Sequence, residues 1–278
     1  VIYANTIDNA LREQTKIFLN QHMGEYYYDD RIKISVTDTE LTIVYEERDG
    51  VRQKTSPFPL FKDFSYVNDE NNVELHELPG APVIAFHSYK GGVGRTLSLI
   101  AFVRSVIEQY GTSKKVLIVD GDIEAPGLTW LGREQYGDYD ISYIDLLNII
   151  SAKGIDESIY KEISQILEGS YLKFRDEKME VEQFFLPTYR NDNQLLDIYS
   201  KPERIMAGEK NKYVITDAVS KLGKLLDVGA VLIDLRAGIS EYSAPFLFDP
   251  RVKKFVVTST SNQSITGTKL LLNQIRKQ

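Results

Sequence analysis

Three short clusters in this 278-residue chain have the residue types and spacing to handle phosphate. The first is Ser88-Tyr89-Lys90-Gly91-Gly92-Val93-Gly94-Arg95-Thr96, which follows the apolar run Val83-Ile84-Ala85-Phe86. A helical stretch from Arg95 to about Tyr110, closed by Gly111, comes next. Glycines let a backbone fold so that several N–H groups point inward, and a helix N-terminus adds partial positive charge. Here Gly91, Gly92, Val93 and Gly94 supply the turn, Arg95 the cation that neutralises phosphate, and Thr96 a hydroxyl able to ligate Mg²⁺. Leu97 completes the set expected to line the nucleotide. Two departures from the general template G-x-x-x-x-G-K-[ST] stand out. Ser88 or Tyr89 occupies the place of the early glycine, and arginine replaces lysine. The alternative for this segment is a glycine-rich strand-to-helix turn with no ligand.

The second cluster is Asp120-Gly121-Asp122, closing the apolar run Lys115–Val119, and the third is Asp234, ending Ala230–Ile233, with Gly238 shortly after. Carboxylates at the C-terminal ends of parallel strands face the crevice where such sheets bind ligands. Phosphoryl transfer asks for that arrangement, because its catalysis is mostly positioning and charge neutralisation. Read alone, Asp120 and Asp122 are loop caps after a strand; their place downstream of the glycine loop favours a site. Arginine is planar, always charged and wider than lysine, so it grips phosphate in a fork. It is less suited to lying between the β and γ oxygens, and hydrolysis is therefore expected to be slow.

Strands must position these clusters. Val83–Phe86, Lys115–Val119, Ala230–Asp234 and Lys254–Thr258 are short continuous apolar runs, the pattern of strands buried on both faces. Helical stretches lie between them, near 212–228 and 264–276 among others. The alternation predicts an α/β fold, a doubly wound and mainly parallel sheet with helices on both faces. About 70 residues separate Asp122 from a further strand expected at Leu195–Ile198, too many for a simple crossover. They are expected to form a helical insertion over about 130–190. Residues 1–80 predict a small α+β module: a helix capped by Thr6 with Ile7, Leu11 and Phe18 on one side, then a hairpin of Arg31–Val36 and Leu41–Tyr45. Lys54–Asn72 is irregular around Pro57 and Pro59, and Leu78–Pro82 makes a linker to the domain at 81–278.

Composition narrows the classes. Net charge is −7 with a pI near 5.2, so DNA contact would need a local basic patch or a partner. With no cysteine, disulfides and thiolate chemistry are excluded, and His22, His76 and His87 lack metal-ligand spacing. There is no run of about 18 apolar residues and no signal-peptide pattern, so a cytoplasmic location is expected. The start at Val1 suggests a trimmed chain.

Lys90–Thr96 resembles the deviant Walker A motif of the ParA/MinD family, in the SIMIBI branch of P-loop NTPases. The arginine form, with Asp120-Gly-Asp122-Ile-Glu124-Ala-Pro126-Gly127-Leu128 downstream, looks like the bacterial KGGVGR-motif variant ATPases. Asp234-Leu-Arg236-Ala-Gly238 is close to that group's Asp-x-Arg-x-Gly segment. The resemblance covers roughly 82–278 and implies ATP and Mg²⁺ as ligands. It implies that Lys90 reaches across a homodimer to the partner's phosphates and that Arg95 stands in for the phosphate-loop lysine. Asp122 matches the aspartate that orients the attacking water, and Asp120 its neighbour near the metal. Thr96, Asp234 and Asp122 are the residues implied around Mg²⁺, while the Gly238 N–H would sense the γ-phosphate. The family has further strands after the helix at 264–276, so the C-terminal strands are expected to be absent here. The implied function is an ATP-driven dimerising switch that assembles with a protein partner through 1–80, in a bacterial signalling or antiviral defence system. Two alternatives are a non-hydrolysing nucleotide-binding scaffold and a DNA-positioning partition ATPase.

Other features have plainer readings. Tyr26-Tyr27-Tyr28 favours packing over autophosphorylation, and His87 a packed neutral ring. Arg236 fits a nucleotide contact or a surface salt bridge equally. Lys201, Arg204, Lys210 and Lys212 are interleaved with Glu203, Glu209 and Asp217, which favours a solvated face over a DNA contact.

Overall fold

The computed structural model describes residues 2–4, 6–34, 39–47, 76–153, 156–175, 180–196, 213–238, 240 and 242–276. The basic cluster at 201–212 and the segment Lys54–Asn72 lie outside them. Two compact units divide the chain, Val1–Phe58 and Pro59–Gln278.

In the first unit, β1 (Ile2–Ala4) pairs in parallel with β5 (Tyr45–Glu47), while β2 (Tyr27–Tyr28), β3 (Arg31–Ile34) and β4 (Thr39–Thr42) form an antiparallel sheet. The expected hairpin is therefore present, with Ile34 opposite Thr39. Its second strand is split, because at Ile43 the N–H turns to the Asp30 carbonyl and Val44 then accepts from Ile2. Helix α1 (Asn9–Met23) is capped by Asp8, whose carboxylate accepts the Leu11 N–H at 2.8 Å, and not by Thr6 as expected. Aspartate sits three residues before that N–H, the distance a side-chain cap spans. Of the tyrosine triplet, Tyr27 is buried and donates to Asp30, whereas Tyr26 and Tyr28 are exposed.

The second unit is built on a six-stranded sheet of β6 (Val83–His87), β7 (Val116–Gly121), β8 (Tyr171–Arg175), β9 (Glu180–Leu186), β10 (Ala230–Leu235) and β11 (Lys253–Val256). Their order is β11-β6-β10-β7-β9-β8, and every pairing is parallel except β8 with β9. Period-two alternation sends Val83, Ala85, Leu117, Val119, Val231 and Ile233 to one core and Phe86, Val116, Ile118 and Leu232 to the other. Helix α2 (Arg95–Tyr110) covers the second core with Leu99, Val103 and Ile107, one ridge at four-residue spacing. Helices α4 (Tyr143–Lys153), α5 (Glu157–Leu167) and α7 (Val214–Leu225) cover the first. The sheet is thus doubly wound, as expected for an α/β fold of this kind. Among the described residues no helix is long and apolar enough to cross a membrane.

The long stretch after Asp122 differs from expectation. It is helical through α3 (Gly127–Tyr136), α4 and α5, but then supplies β8 and β9 and so widens the sheet. The alternating pattern of Tyr171-Leu172-Lys173-Phe174, with Leu172 and Phe174 inward, marks that edge. The strand expected at Leu195–Ile198 is not formed at its start, where α6 (Asp192–Leu196) is helical; residues 197–198 lie outside the described residues. Asn191 overrides the apolar pair, since its side chain accepts the Gln194 N–H at 3.1 Å and its carbonyl the Leu195 N–H at 3.3 Å.

Candidate functional site

Strands β6, β7 and β10 end side by side, and the glycine loop, Asp120–Asp122 and Asp234 occupy those three ends. Gly92 and Gly94 adopt φ of 73° and 90°, left-handed values that side chains resist, and open space surrounds both. Gly94 caps α2, and the first bond of the helix runs from the Ser98 N–H to the Gly94 carbonyl at 2.8 Å. The N–H groups of Arg95, Thr96 and Leu97 thus have no acceptor within the helix, which is the arrangement that takes an anion.

Arg95 is buried and joins the carboxylates. Its Nε donates to Asp234 Oδ1 at 2.6 Å and its Nη2 to Asp122 Oδ2 at 2.9 Å. The Thr96 hydroxyl donates to Asp234 Oδ2, also at 2.6 Å. Burial pushes the Asp234 carboxyl up, and the Arg95 charge with the Thr96 hydrogen bond draws it back. Burial works against the Arg95 charge, but Asp234 and Asp122 more than offset it and raise its pKa. Asp122 also accepts the Ala125 N–H at 3.1 Å, which shapes the exit from β7.

Asp120 points into helix α3. One oxygen accepts both the Thr129 N–H at 2.8 Å and the Thr129 hydroxyl at 2.9 Å, while the other accepts the Asp122 N–H at 3.3 Å. Thr188 adds to this knot, donating its hydroxyl to the Asp120 carbonyl and its N–H to the Thr129 hydroxyl. Asp120 thereby braces the acidic loop, a role that sequence reasoning missed. No local pattern marks it, because its partner Thr129 lies nine residues on. Burial first, and then Asp234, push the Asp120 carboxyl up to about 7.

An acid whose folded pKa lies above its unfolded value holds more protons when folded, so stability falls as pH rises between the two. The contribution of Asp120 is thus expected to decline from about pH 4 to about pH 7 and to level off beyond. Urea midpoints at about pH 5 and about pH 8 check this: the gap between Asp120→Asn and wild type should move toward the variant at the higher pH. A gap independent of pH would refute it.

Lys90 and Leu97 stay outside this cluster. Lys90 is exposed, and the Leu97 side chain is 70% exposed, so it has only its backbone to offer the site. The Gly238 N–H donates to the Ser88 carbonyl at 2.9 Å, which ties the segment after β10 to the start of the glycine loop. Arg236 pairs with Glu124 on the surface, linking that same segment to the acidic loop. His87 is fully buried; burial, then the nearby Arg95 charge, lower its pKa to about 3, so its ring is neutral.

No protein-family model and no curated protein matches the chain. Solved structures do. A plasmid partition protein from Borrelia burgdorferi is similar at 19% identity and a TM-score of 0.43, over 71% of this chain and 73% of that one. A putative plasmid partition protein from Borrelia burgdorferi B31, bound to AMPPNP, is similar at 16% identity and 0.44, over 71% of each chain. The pNOB8 ParA bound to nonspecific DNA is similar at 19% identity and 0.42; the match spans 69% of this chain but 58% of that longer one.

The donor set suits a hard divalent cation beside a nucleotide, since Thr96 offers a hydroxyl and Asp234 and Asp122 offer carboxylates. Among the described residues no group of three or more His, Cys, Asp or Glu side chains could hold a metal.

Proposed function

We propose that this chain is an ATP-dependent molecular switch with slow hydrolysis, acting as a homodimer. The observation that carries the reading is the convergence of Arg95, Thr96, Asp122 and Asp234 beside an open glycine loop at three parallel strand ends. The loop N–H groups and Arg95 bind the polyphosphate, Thr96 and Asp234 hold Mg²⁺, and Asp122 orients the attacking water. Mg²⁺ supplies charge neutralisation at the phosphates. Lys90, exposed at the loop rim, completes the site of a second subunit.

Of the three processes set out above, DNA positioning accords best with the similar structures, which are described as partition proteins, one of them bound to nonspecific DNA. The signalling or defence reading has no comparable support. Residues 1–80 serve in this scheme to dock a protein partner, and the site of action is the cytoplasm.

Phosphate release from ATP tests the switch. Asp122→Ala is expected to lower turnover at least about tenfold while ATP still binds. If wild type and variant are equally inert but bind ATP, the protein is a scaffold and the switch reading fails. Lys90→Ala is expected to remain a monomer under saturating ATP analogue where wild type doubles in mass; a wild-type monomer there would remove the dimer from the scheme. Salt-sensitive, ATP-dependent binding to random-sequence DNA is expected of wild type, and its absence at low salt would exclude DNA positioning.

A further inference from the structure

Arg95 does more in this structure than stand at a phosphate loop. Its guanidinium spans two carboxylates on different strand ends, with Nε on Asp234 and Nη2 on Asp122, and Nη2 also lies 3.4 Å from the second oxygen of Asp234. That second oxygen is the one the Thr96 hydroxyl meets. The carboxylate and hydroxyl best suited to a divalent cation are therefore already in the reach of a monovalent one. Arginine does not lose its proton in proteins, so it cannot neutralise itself to make way. All three side chains are at least nine-tenths buried, where like charges repel far more strongly than in water. A triphosphate offers the planar fork an alternative set of oxygens.

We propose that Arg95 and a divalent cation compete for the Asp234–Asp122 pair, and that nucleotide relieves the competition by drawing the guanidinium onto its phosphates. This inference rests on the nucleotide-binding reading above for its second half only. Metal alone binds poorly, and metal and nucleotide bind with strong mutual enhancement, which linkage requires to be equal in both directions. The arginine then keeps the metal site from filling before the nucleotide does.

Mn²⁺ binding, followed by the loss of its free-ion electron paramagnetic resonance signal, tests the idea without any turnover. In the absence of nucleotide, Arg95→Ala is expected to bind Mn²⁺ at least about tenfold more tightly than wild type. Arg95→Lys covers the case in which the alanine variant does not fold; one ammonium cannot span both carboxylates as the fork does, and a several-fold gain is expected. A non-hydrolysable ATP analogue should tighten Mn²⁺ binding to wild type by more than it does for Arg95→Lys. Equal Mn²⁺ affinities in wild type and Arg95→Lys, with both folded, would overturn the competition. A fluorescent ATP analogue separates the two layers. If none of the proteins binds it while the Mn²⁺ difference persists, the nucleotide reading fails and the competition stands. If the analogue binds but the Mn²⁺ affinities agree, the competition fails alone.

Discussion

An Asp234→Ala protein is expected to be less stable than wild type by about 3 kcal/mol and to lose ATP turnover entirely. The carboxylate is almost fully buried and receives two donors, Arg95 and Thr96, each at 2.6 Å. Truncation leaves a guanidinium in a dry site with one acid where it had two. Breaking a buried pair by removing one partner costs about 3–5 kcal/mol, and the surviving Asp122 contact places this case at the lower end. Loss of the carboxylate also removes the residue proposed to hold Mg²⁺. Asp234→Asn separates the two effects, because the amide oxygen can still accept from Thr96 while the charge is gone. Urea unfolding at constant m-value and phosphate release are the measurements. A truncated protein as stable as wild type would show that the buried ion cluster gives no net support to the fold.

A larger surprise is expected from a methyl group. Gly267 lies in α8 (Asn262–Ile275), and a glycine-to-alanine change inside a helix normally gains up to about 1 kcal/mol. Here the added Cβ would stand 1.9, 2.1 and 2.4 Å from three ring atoms of Tyr89. The ring of Tyr89 is half-buried, but the close atoms begin at its base, next to the backbone, so the whole ring has to swing aside, and overpacking of this kind costs about 1–3 kcal/mol. The clash therefore outweighs the propensity, and Gly267→Ala is expected to be destabilised. Tyr89 is the residue directly before Lys90, so the displaced ring moves the glycine loop, and ATP affinity should fall at least about tenfold. Tyr89→Ala in the same background should restore stability, giving a coupling well beyond additivity. Additive single effects would mean the ring and the helix do not share that space.

Why some of this was legible in the sequence and some not follows from how the information is laid out along the chain. The expected strand at Lys254–Thr258 is not buried on both faces, since β11 lies at the sheet edge and leaves Phe255 exposed, but the strands at Val83, Val116 and Ala230 are continuous apolar runs and were visible as such. So were the three clusters at their ends, because glycine spacing and strand-terminal aspartates are local patterns. The split at Ile43, by contrast, depends on the distant carbonyl of Asp30, and the helical Asp192–Leu196 depends on Asn191 capping what looked like strand. Strand β8 was obscured because it is a half-polar edge strand, and interior β9 because Glu180–Gln183 mixes polar residues into its first half ahead of the apolar Phe184–Leu186. Within the site, the residue types were legible but their partners were not. Nothing in Asp120 and Asp122, two positions apart, separates the one that braces helix α3 from the one that meets Arg95. The Tyr89–Gly267 contact joins residues far apart in sequence and leaves no periodic trace.

The parallel register sets Asp234 directly beside Asp120 on one side and Phe86 on the other. A strand advances about 3.3 Å per residue and turns its side chains over at each step. Losing one residue from β10 would therefore bring Leu235 to the level of the carboxylates and exchange the side chains of the shifted part between the two cores. Substitution at these positions has graded consequences, but a change of length has none that are mild. Natural variation in the number of residues is consequently expected to be confined to connections such as the turn around Gly111–Lys114, and a scan of single-codon deletions should find the three strand ends intolerant where that turn is permissive.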